Sequence, residues 1–203
     1  MKRTSVVGPV RSAAALAIAI MLAGQSRAVG QNLIEVRGAS TEYRYADWSH
    51  TWSNGAVVDL FYVGVPGSNE LNLGGGFGFA RGHLTVTPLA YLVIGKEESQ
   101  RGIKMALLVS FEQRGWKLLS FIGQYLSVSG GVDNYQVMDV LDLTRTLGKR
   151  VELGVQSGFF HADGEWNPQT GPVLKLNDRH GAWAVSYRFG SEDEFRVGRV
   201  VTF

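Results

Sequence analysis

Strict alternation of apolar and polar side chains near the C-terminus is the feature that most constrains the fold of this chain. Every second position of one stretch is apolar, namely Trp183, Val185, Tyr187 and Phe189. Successive side chains of a β-strand point to opposite faces, so this segment has one apolar and one mixed face. A second alternating stretch ends at Phe203. The pattern indicates either a soluble sandwich or a membrane barrel.

Residues 1 to 30 have the composition of a targeting segment. A basic start is followed by an uninterrupted apolar run from Ala13 to Ala23, and small residues follow at Ala28 and Gly30. This order is typical of a secretory signal peptide, and the run is shorter than the ~20 residues that a membrane-spanning helix requires. We therefore expect a cleaved signal peptide over 1–30 rather than a retained anchor, and one domain over 31–203.

Removal of this leader changes the charge of the chain. The whole sequence has 20 basic and 18 acidic residues, and the leader holds only basic ones: Lys2, Arg3, Arg11 and Arg27. The remaining domain is slightly acidic, which gives no indication of a nucleic-acid partner. The chain has no cysteine, which excludes a disulfide scaffold and an acylated lipoprotein.

Extended segments of about ten residues, separated by turn residues, follow the leader, as expected for strands of a membrane barrel. The clearest runs from Gly102 to Glu112. The segment from Tyr135 to Thr146 also fits one side of a helix. We prefer a strand there, because the turn residues Leu147 to Arg150 lead into a cleanly alternating partner. No stretch after the leader is apolar for long enough to form a transmembrane helix.

The number of strands depends on one ambiguous region. The segment from Leu33 to Trp48 changes its alternation at Gly38 to Ser40, which we interpret as a tight turn or a bulge. The sequence then divides into twelve or eleven extended segments. The stretch from Ala162 to Gly171 is predicted to be a loop before a short strand from Val173 to Leu176.

The leader, the short turns and the apolar strand that ends in Phe203 resemble the β-barrels of the Gram-negative outer membrane. The resemblance implies an all-β, antiparallel, up-and-down barrel with both termini at the periplasmic side. An even number of strands then favours twelve, with ten as the alternative. It also implies contact with outer-membrane lipid, and assembly by the barrel-insertion machinery with Phe203 as part of the assembly signal.

Two sets of residues receive roles from that orientation. The first set is expected to form aromatic girdles at the two membrane interfaces: Tyr43, Tyr45, Trp48, Trp52, Tyr62, Trp116, Tyr135, Trp166 and Trp183. The second set is expected to line the lumen: Glu42, Arg44, Asp59, Lys104, Glu112, Glu152, Gln156, Arg188 and Arg196. Arg199 is the exception, because it falls on the predicted lipid face.

Charges of both signs in a hydrated lumen would pass small polar solutes with little charge selectivity. The alternative is a closed barrel whose charges pair and fill the interior. A soluble barrel that encloses an apolar ligand would need the opposite orientation of the strands.

Enzymatic activity has little support in the sequence. Some small outer-membrane barrels modify lipid at their rim, and only His161, beside Asp163 and near Ser157, is placed for such chemistry. The histidines have no metal-ligand spacing, and no cofactor motif is found. We therefore expect a narrow passive channel without catalytic residues, metal or cofactor.

Overall fold

The computed structural model of the chain describes residues 30–95, 101–128, 134–190 and 192–203. The predicted signal peptide and most of the two connections at 96–101 and 129–134 lie outside these residues. The described residues form thirteen strands: β1 (Gln31–Ala39), β2 (Arg44–Thr51), β3 (Ala56–Val65), β4 (Ser68–Phe77), β5 (Phe79–Arg81), β6 (Leu84–Gly95), β7 (Gly102–Gln113), β8 (Trp116–Ser127), β9 (Tyr135–Leu147), β10 (Val151–Ala162), β11 (Glu165–Asp178), β12 (Gly181–Gly190) and β13 (Glu194–Thr202).

The sheet closes on itself. Apart from β4 and β5, strands that are neighbours in sequence pair antiparallel, and β1 also pairs with β13. Strand β4 pairs directly with β6, and the short β5 continues the same edge beyond Gly78. The result is an up-and-down barrel of twelve strands, one of which is interrupted. The predicted fold and strand number are confirmed, Gly38 to Ser40 leads into a turn, and residues 135–147 form a strand.

Glycines allow close packing where β4 meets β6. A Cβ atom added to Gly76 would lie 1.9 Å from the carbonyl oxygen of Pro88, and one added to Gly74 would lie 2.1 Å from that of Ala90. Any side chain there would force these strands apart. Gly74 also leaves the space over which the ring of Tyr91 crosses to Asp59.

The barrel has two different ends. The terminal end carries residues 31 and 202 and the turns that follow β2, β5, β7, β9 and β11, whereas the distal end carries the other turns. By resemblance the terminal end would face the periplasm.

One distal connection differs from its prediction: Asp163 and Gly164 both have positive φ values, 53° and 80°. They form a two-residue hairpin turn, so residues 165–178 belong to one long strand and the predicted Ala162–Gly171 loop is wrong.

The outer face of the barrel is apolar, and its large side chains are exposed. They include Leu92, Met105, Leu153, Val155 and Phe189. Trp52, Trp116 and Trp183 are exposed at the terminal end, and Tyr62 and Trp166 at the distal end. Trp48 is exposed between them. In the part of the chain that the structure describes, no helix has the length and apolar character needed to cross a bilayer.

Three residues of the predicted girdles face the interior instead. Tyr43 and Tyr135 are buried, and the Tyr45 ring packs 5.8 Å from that of the buried Phe61. Tyr43 and Tyr45 belong to a segment whose alternation is reset by the turn after β1, where Glu42 has a φ of 63°. Their assignment to the outer face was wrong, because a one-residue slip exchanges the two faces of a strand.

Arg199 lies on the outer face, opposite Trp183 of β12 and Val36 of β1. Its guanidinium bonds to Asp178, at 2.8 Å and 3.1 Å, and its Cζ lies 5.2 Å from the centre of the Trp183 ring. Both partners are near the terminal end. The charge is therefore paired at the rim of the apolar surface, which removes the difficulty that the sequence raised.

Candidate functional site: the barrel interior

Polar and charged side chains project into the interior of the barrel. Six of the nine residues predicted to line the lumen are buried there: Asp59, Lys104, Glu152, Gln156, Arg188 and Arg196. Arg188 is the largest fully buried side chain, with 1% of its surface exposed. Glu112 lies on the same face of β7 as Lys104 but is exposed, because it is at the terminal end of that strand.

Arg44 and Glu42 do not lie in the lumen as predicted. Arg44 pairs with Gly38, which in turn pairs with the outward Val197. Because directly opposed residues share one face of a sheet, Arg44 is on the outer face. Glu42 is an exposed residue of the turn between β1 and β2. The same reset of alternation that brings Tyr43 inward excludes both residues from the interior.

A group of side chains from four parts of the wall meets at Asp139. Arg37 forms an ion pair with its carboxylate, Arg196 Nη1 donates to Oδ1 at 3.1 Å, and the Tyr43 hydroxyl donates to Oδ1 at 3.3 Å. Arg188 Nη2 donates to the Asp139 carbonyl at 2.8 Å. Strands β10 to β13 separate β9 from β1, so the Arg37–Asp139 contact spans the lumen. We call Arg37, Tyr43, Asp139, Arg188 and Arg196 the cross-lumen cluster.

Flanking groups hold the arginines of this cluster in place. The Arg37 Nε donates to Glu35 at 2.8 Å, and its Cζ stacks 4.0 Å from the centre of the Tyr45 ring. Arg196 pairs with Glu194 and stacks 4.3 Å from the centre of the Tyr43 ring. Arginine is suited to such sites because its planar group can stack on a ring and donate hydrogen bonds to a carboxylate at the same time. The guanidinium groups are therefore fixed in position.

A second contact across the lumen lies nearer the distal end. Lys104 Nζ is 2.9 Å from Glu70 Oε2, and the Tyr135 hydroxyl donates to Glu70 Oε1. The Tyr135 ring stacks on Tyr125, with 4.7 Å between the ring centres. Strands β6 to β8 separate Glu70 from Tyr135. Buried side chains thus fill the distal half of the lumen.

Near the terminal end the charges pair along the wall instead. Glu152 accepts from Lys117 and Asn177, both at 2.7 Å. Asp142 forms an ion pair with Lys175 and accepts from Gln156 at 2.8 Å. These partners are on adjacent strands or one strand further away. We call Lys117, Asp142, Glu152, Lys175 and Asn177 the wall cluster.

Solvent reaches the interior at the terminal end. Leu119 pairs with Ser110 and with the buried Asp142, so it faces inward. It is nevertheless 37% exposed, and the inward Lys117 side chain is 36% exposed. Interior side chains can be exposed only where the lumen is open to water. The lumen is therefore open to water at its terminal end, and we call this part the vestibule.

A pair of carboxylates lies between these two regions. The Tyr91 hydroxyl donates to Asp59 Oδ2 at 2.6 Å, and Asp47 is a neighbour of Asp59. One oxygen of each aspartate and both amide atoms of Asn72 are buried without a hydrogen-bond partner among the described residues. Buried polar groups of this kind are normally satisfied by ordered water. The polar interior thus continues beyond the vestibule.

The residues considered for catalysis are engaged in other contacts. The Ser157 Oγ and the Thr170 Oγ1 are 2.7 Å apart on the outer face, and the His161 ring stacks on Trp166 at 4.2 Å. Among the described residues, no group of three or more His, Asp or Glu side chains could hold a metal ion. The interior therefore presents binding and charge-pairing groups.

Sequence reasoning missed most members of the two clusters. Arg37, Asp139, Asp142 and Lys175 were not assigned to the lumen. One signal was available for Asp139: the apolar residues Val137 and Val140 are three positions apart, which breaks the alternation at Asp139. That spacing also fits one side of a helix, although a bulge in a strand produces the same shift.

Comparison with known proteins places this architecture among porins. No protein-family profile matches the chain, and no curated protein sequence matches it. Solved structures do match: the KdgM porin, at 14% identity with a TM-score of 0.63, covers 84% of this chain and 99% of its own. KdgM in complex with disordered oligogalacturonate has 13% identity and a TM-score of 0.64, with 85% and 99% covered. The NanC porin has 10% identity and a TM-score of 0.56, with 84% and 98% covered. The chain thus has the fold of a porin-like outer-membrane β-barrel.

Proposed function

We propose that this chain is a narrow passive channel for small polar solutes in the bacterial outer membrane. The observation that supports the proposal is a charged lumen, open to water at its terminal end, inside an apolar exterior. A surface of exposed Leu, Ile, Val and Phe side chains suits lipid, whereas the vestibule at Leu119 and Lys117 admits water. A barrel with this arrangement can conduct polar solutes down their concentration gradients.

The charged side chains of the lumen favour a broader class of solutes than the one with which a structurally similar porin was solved. The KdgM porin has been solved with an acidic oligosaccharide. In this chain the inward charges have both signs: Glu35, Asp47, Asp59, Glu70, Asp139, Asp142, Glu152 and Glu194 against Arg37, Lys104, Lys117, Lys175, Arg188 and Arg196. Acidic groups are at least as numerous as basic ones, which argues against a lumen dedicated to anionic sugars.

A recording in planar lipid bilayers tests the channel. The chain, purified in detergent from outer membranes, should give small, voltage-independent current steps in KCl, and the heat-denatured sample should give none. A folded preparation without current would reject the channel. The second candidate, a closed structural barrel, would then stand, and it is favoured by the side chains that fill the distal half of the lumen.

Two further parts of the proposal concern biogenesis. Residues 1–30 would be removed on export, so N-terminal sequencing of the protein from membranes should begin near residue 31; an intact Met1 would contradict cleavage.

Phe203 exchanges backbone hydrogen bonds of 3.0 Å and 3.1 Å with Asn32, where the barrel closes. Its deletion should lower the heat-modifiable fraction of the protein, and the barrel-insertion machinery is its proposed partner. Replacing the exposed Phe189 with Ala provides the control.

A further inference from the structure

Asp139 occupies an irregular position in β9. On one side Phe121 pairs with Val140 and Ile122 pairs with Met138, so Asp139 has no counterpart in β8. The pairing with β10 shifts at the same place, between Ser157 and Phe159. Asp139 is therefore the extra residue of a β-bulge. Bulges bend a strand and redirect one side chain, and here the redirected group is a carboxylate.

Gly158 of β10 makes room for the bulge. A Cβ atom on Gly158 would lie 2.7 Å from the Met138 carbonyl oxygen, 3.1 Å from that of Asp139 and 2.9 Å from Arg188 Nη1. Arg188 reaches the Asp139 carbonyl through this space. The backbone of the bulge is held by an arginine that itself bonds to Gln156 Oε1 at 2.9 Å. The contact between Arg188 and the backbone of the bulge thus helps to fix the position of the Asp139 carboxylate.

The carboxylate is the anion that Arg37 and Arg196 share. Each of these arginines has one other carboxylate, Glu35 or Glu194, on its own strand. Only Asp139 comes from the far wall and joins them across the lumen. Without it, the three arginines of the cluster would be matched by two carboxylates, Glu35 and Glu194, and an excess of positive charge would face the opening. Such a charge acts strongly in a narrow pore, where distances are short and the dielectric constant is low.

We propose that Asp139 is the selectivity-determining residue of the lumen, a tie between opposite walls that narrows the channel and cancels an anion-attracting ring of arginines. The inference rests on the proposed channel function. It predicts that loss of the carboxylate changes two measurable quantities together. Conductance increases because the lumen is no longer bridged at the cross-lumen cluster, and permeability shifts towards anions because Arg37 and Arg196 lose their shared counter-charge.

Asp142 provides a matched control on the same strand. It is also an inward, paired carboxylate, but its partners Lys175 and Gln156 lie along the wall. Asp139→Asn and Asp142→Asn remove the same charge from the same lumen. Asp139→Ala also shortens the side chain and opens the bridge. The reversal potential in a KCl gradient and the single-channel conductance should be recorded for wild type and all three variants.

We expect the reversal potential of Asp139→Asn to move further towards the chloride potential than that of Asp142→Asn, and a severalfold increase in conductance for Asp139→Ala only. If wild type conducts and the Asp139 variants match Asp142→Asn, the inference is overturned and the channel remains. If no variant conducts although all migrate as folded barrels, the channel proposal itself fails. A silent wild type beside a conducting Asp139→Ala would reject the open channel, and with it the selectivity role of Asp139, and would show that the tie closes the barrel.

If an Asp139 variant folds poorly, a chemical rescue experiment can test the charge at this position in a barrel that has already been refolded. The chain has no cysteine, so Asp139→Cys introduces a unique thiol into the refolded barrel. Coupling a negatively charged thiol reagent should return the reversal potential towards wild type, and a positively charged reagent should move it further towards chloride. Equal effects of the two reagents, or none in a barrel whose thiol has reacted, would contradict the assignment.

Discussion

The cross-lumen cluster and the wall cluster use the same side-chain chemistry with opposite geometric results. In the first, Arg37 and Arg196 meet Asp139 from strands on the far side of the barrel, and the lumen is bridged. In the second, Glu152 and Asp142 each pair with a cation two strands away along the wall. The lumen there stays open to water. The comparison shows that the direction of an ion pair, and not its presence, determines whether charge closes or lines a barrel.

The two clusters should also differ in energy. Arg196 and Asp139 are mostly shielded from solvent, so removing one partner leaves an uncompensated charge in a medium of low dielectric. Lys117 keeps more than a third of its side chain in water, where an ion pair contributes little. The cross-lumen cluster should therefore affect both conduction and stability, and the wall cluster mainly the local field of the vestibule.

The largest effect on stability is expected for Arg196→Ala. The change removes the cation from both Glu194 and Asp139 and should lower the free energy of unfolding by roughly 3 kcal/mol, as for other broken buried pairs. Urea unfolding in lipid vesicles, followed by tryptophan fluorescence, measures it. Arg44→Ala is the control, because this exposed arginine is on the outer face and its loss should cost less than about 1 kcal/mol. Equal losses of unfolding free energy in the two variants would show that the buried and the exposed arginine contribute equally to stability.

Gly158→Ala should have the next largest effect. The added methyl group would collide with the Met138 carbonyl and with Arg188, and overpacking of this kind costs about 1–3 kcal/mol. In Gly123→Ala, on the inward face of β8, the nearest atoms of the new Cβ would be 3.5 Å away. That control should unfold at nearly the wild-type urea concentration. A Gly158→Ala barrel of unchanged stability and conductance would show that the bulge does not constrain Asp139.

The comparison also explains what the sequence could and could not predict. Alternation alone predicts the strands, the closed antiparallel barrel and the apolar exterior, because these depend on local period and on burial. The same alternation puts Lys104, Glu152, Arg188 and Arg196 on the polar face of their strands, and all four side chains are buried. Even the uncertain segment at residues 135–147 follows from its turn residues and its clean partner β10.

Failures occur where a single residue changes the phase of a strand. The turn at Glu42 exchanges the faces of Tyr43 and Arg44, and the bulge at Asp139 brings two successive residues inward. Neither event has an unambiguous local pattern. The contacts of Asp139 could not be predicted at all, because Arg37 is 102 positions away in the sequence and only closure of the barrel brings them together.

Lys117→Met tests the wall cluster. Because the ammonium group is near water and Glu152 retains Asn177 and Thr144 as donors, the loss in unfolding free energy should be less than about 1 kcal/mol. Conductance should change little, since the pair does not cross the lumen. A stability loss as large as that of Arg196→Ala would mean that the vestibule is drier than the exposure of Leu119 indicates.

The smallest effect is expected on the outer face, where Arg199 pairs with Asp178. This pair is at the rim of the apolar surface, and Asp178 is 45% exposed. A double-mutant cycle with Arg199→Ala and Asp178→Ala should give a coupling energy of about 0.5 kcal/mol, typical of exposed pairs. The parallel cycle with Arg196→Ala and Asp139→Ala should give several times more, because water does not screen that pair. High salt should weaken the first coupling and leave the second almost unchanged. Two couplings of similar size and salt dependence would show that water screens the interior as much as the rim. The Arg196–Asp139 pair would then be a solvated ion pair like Arg199–Asp178.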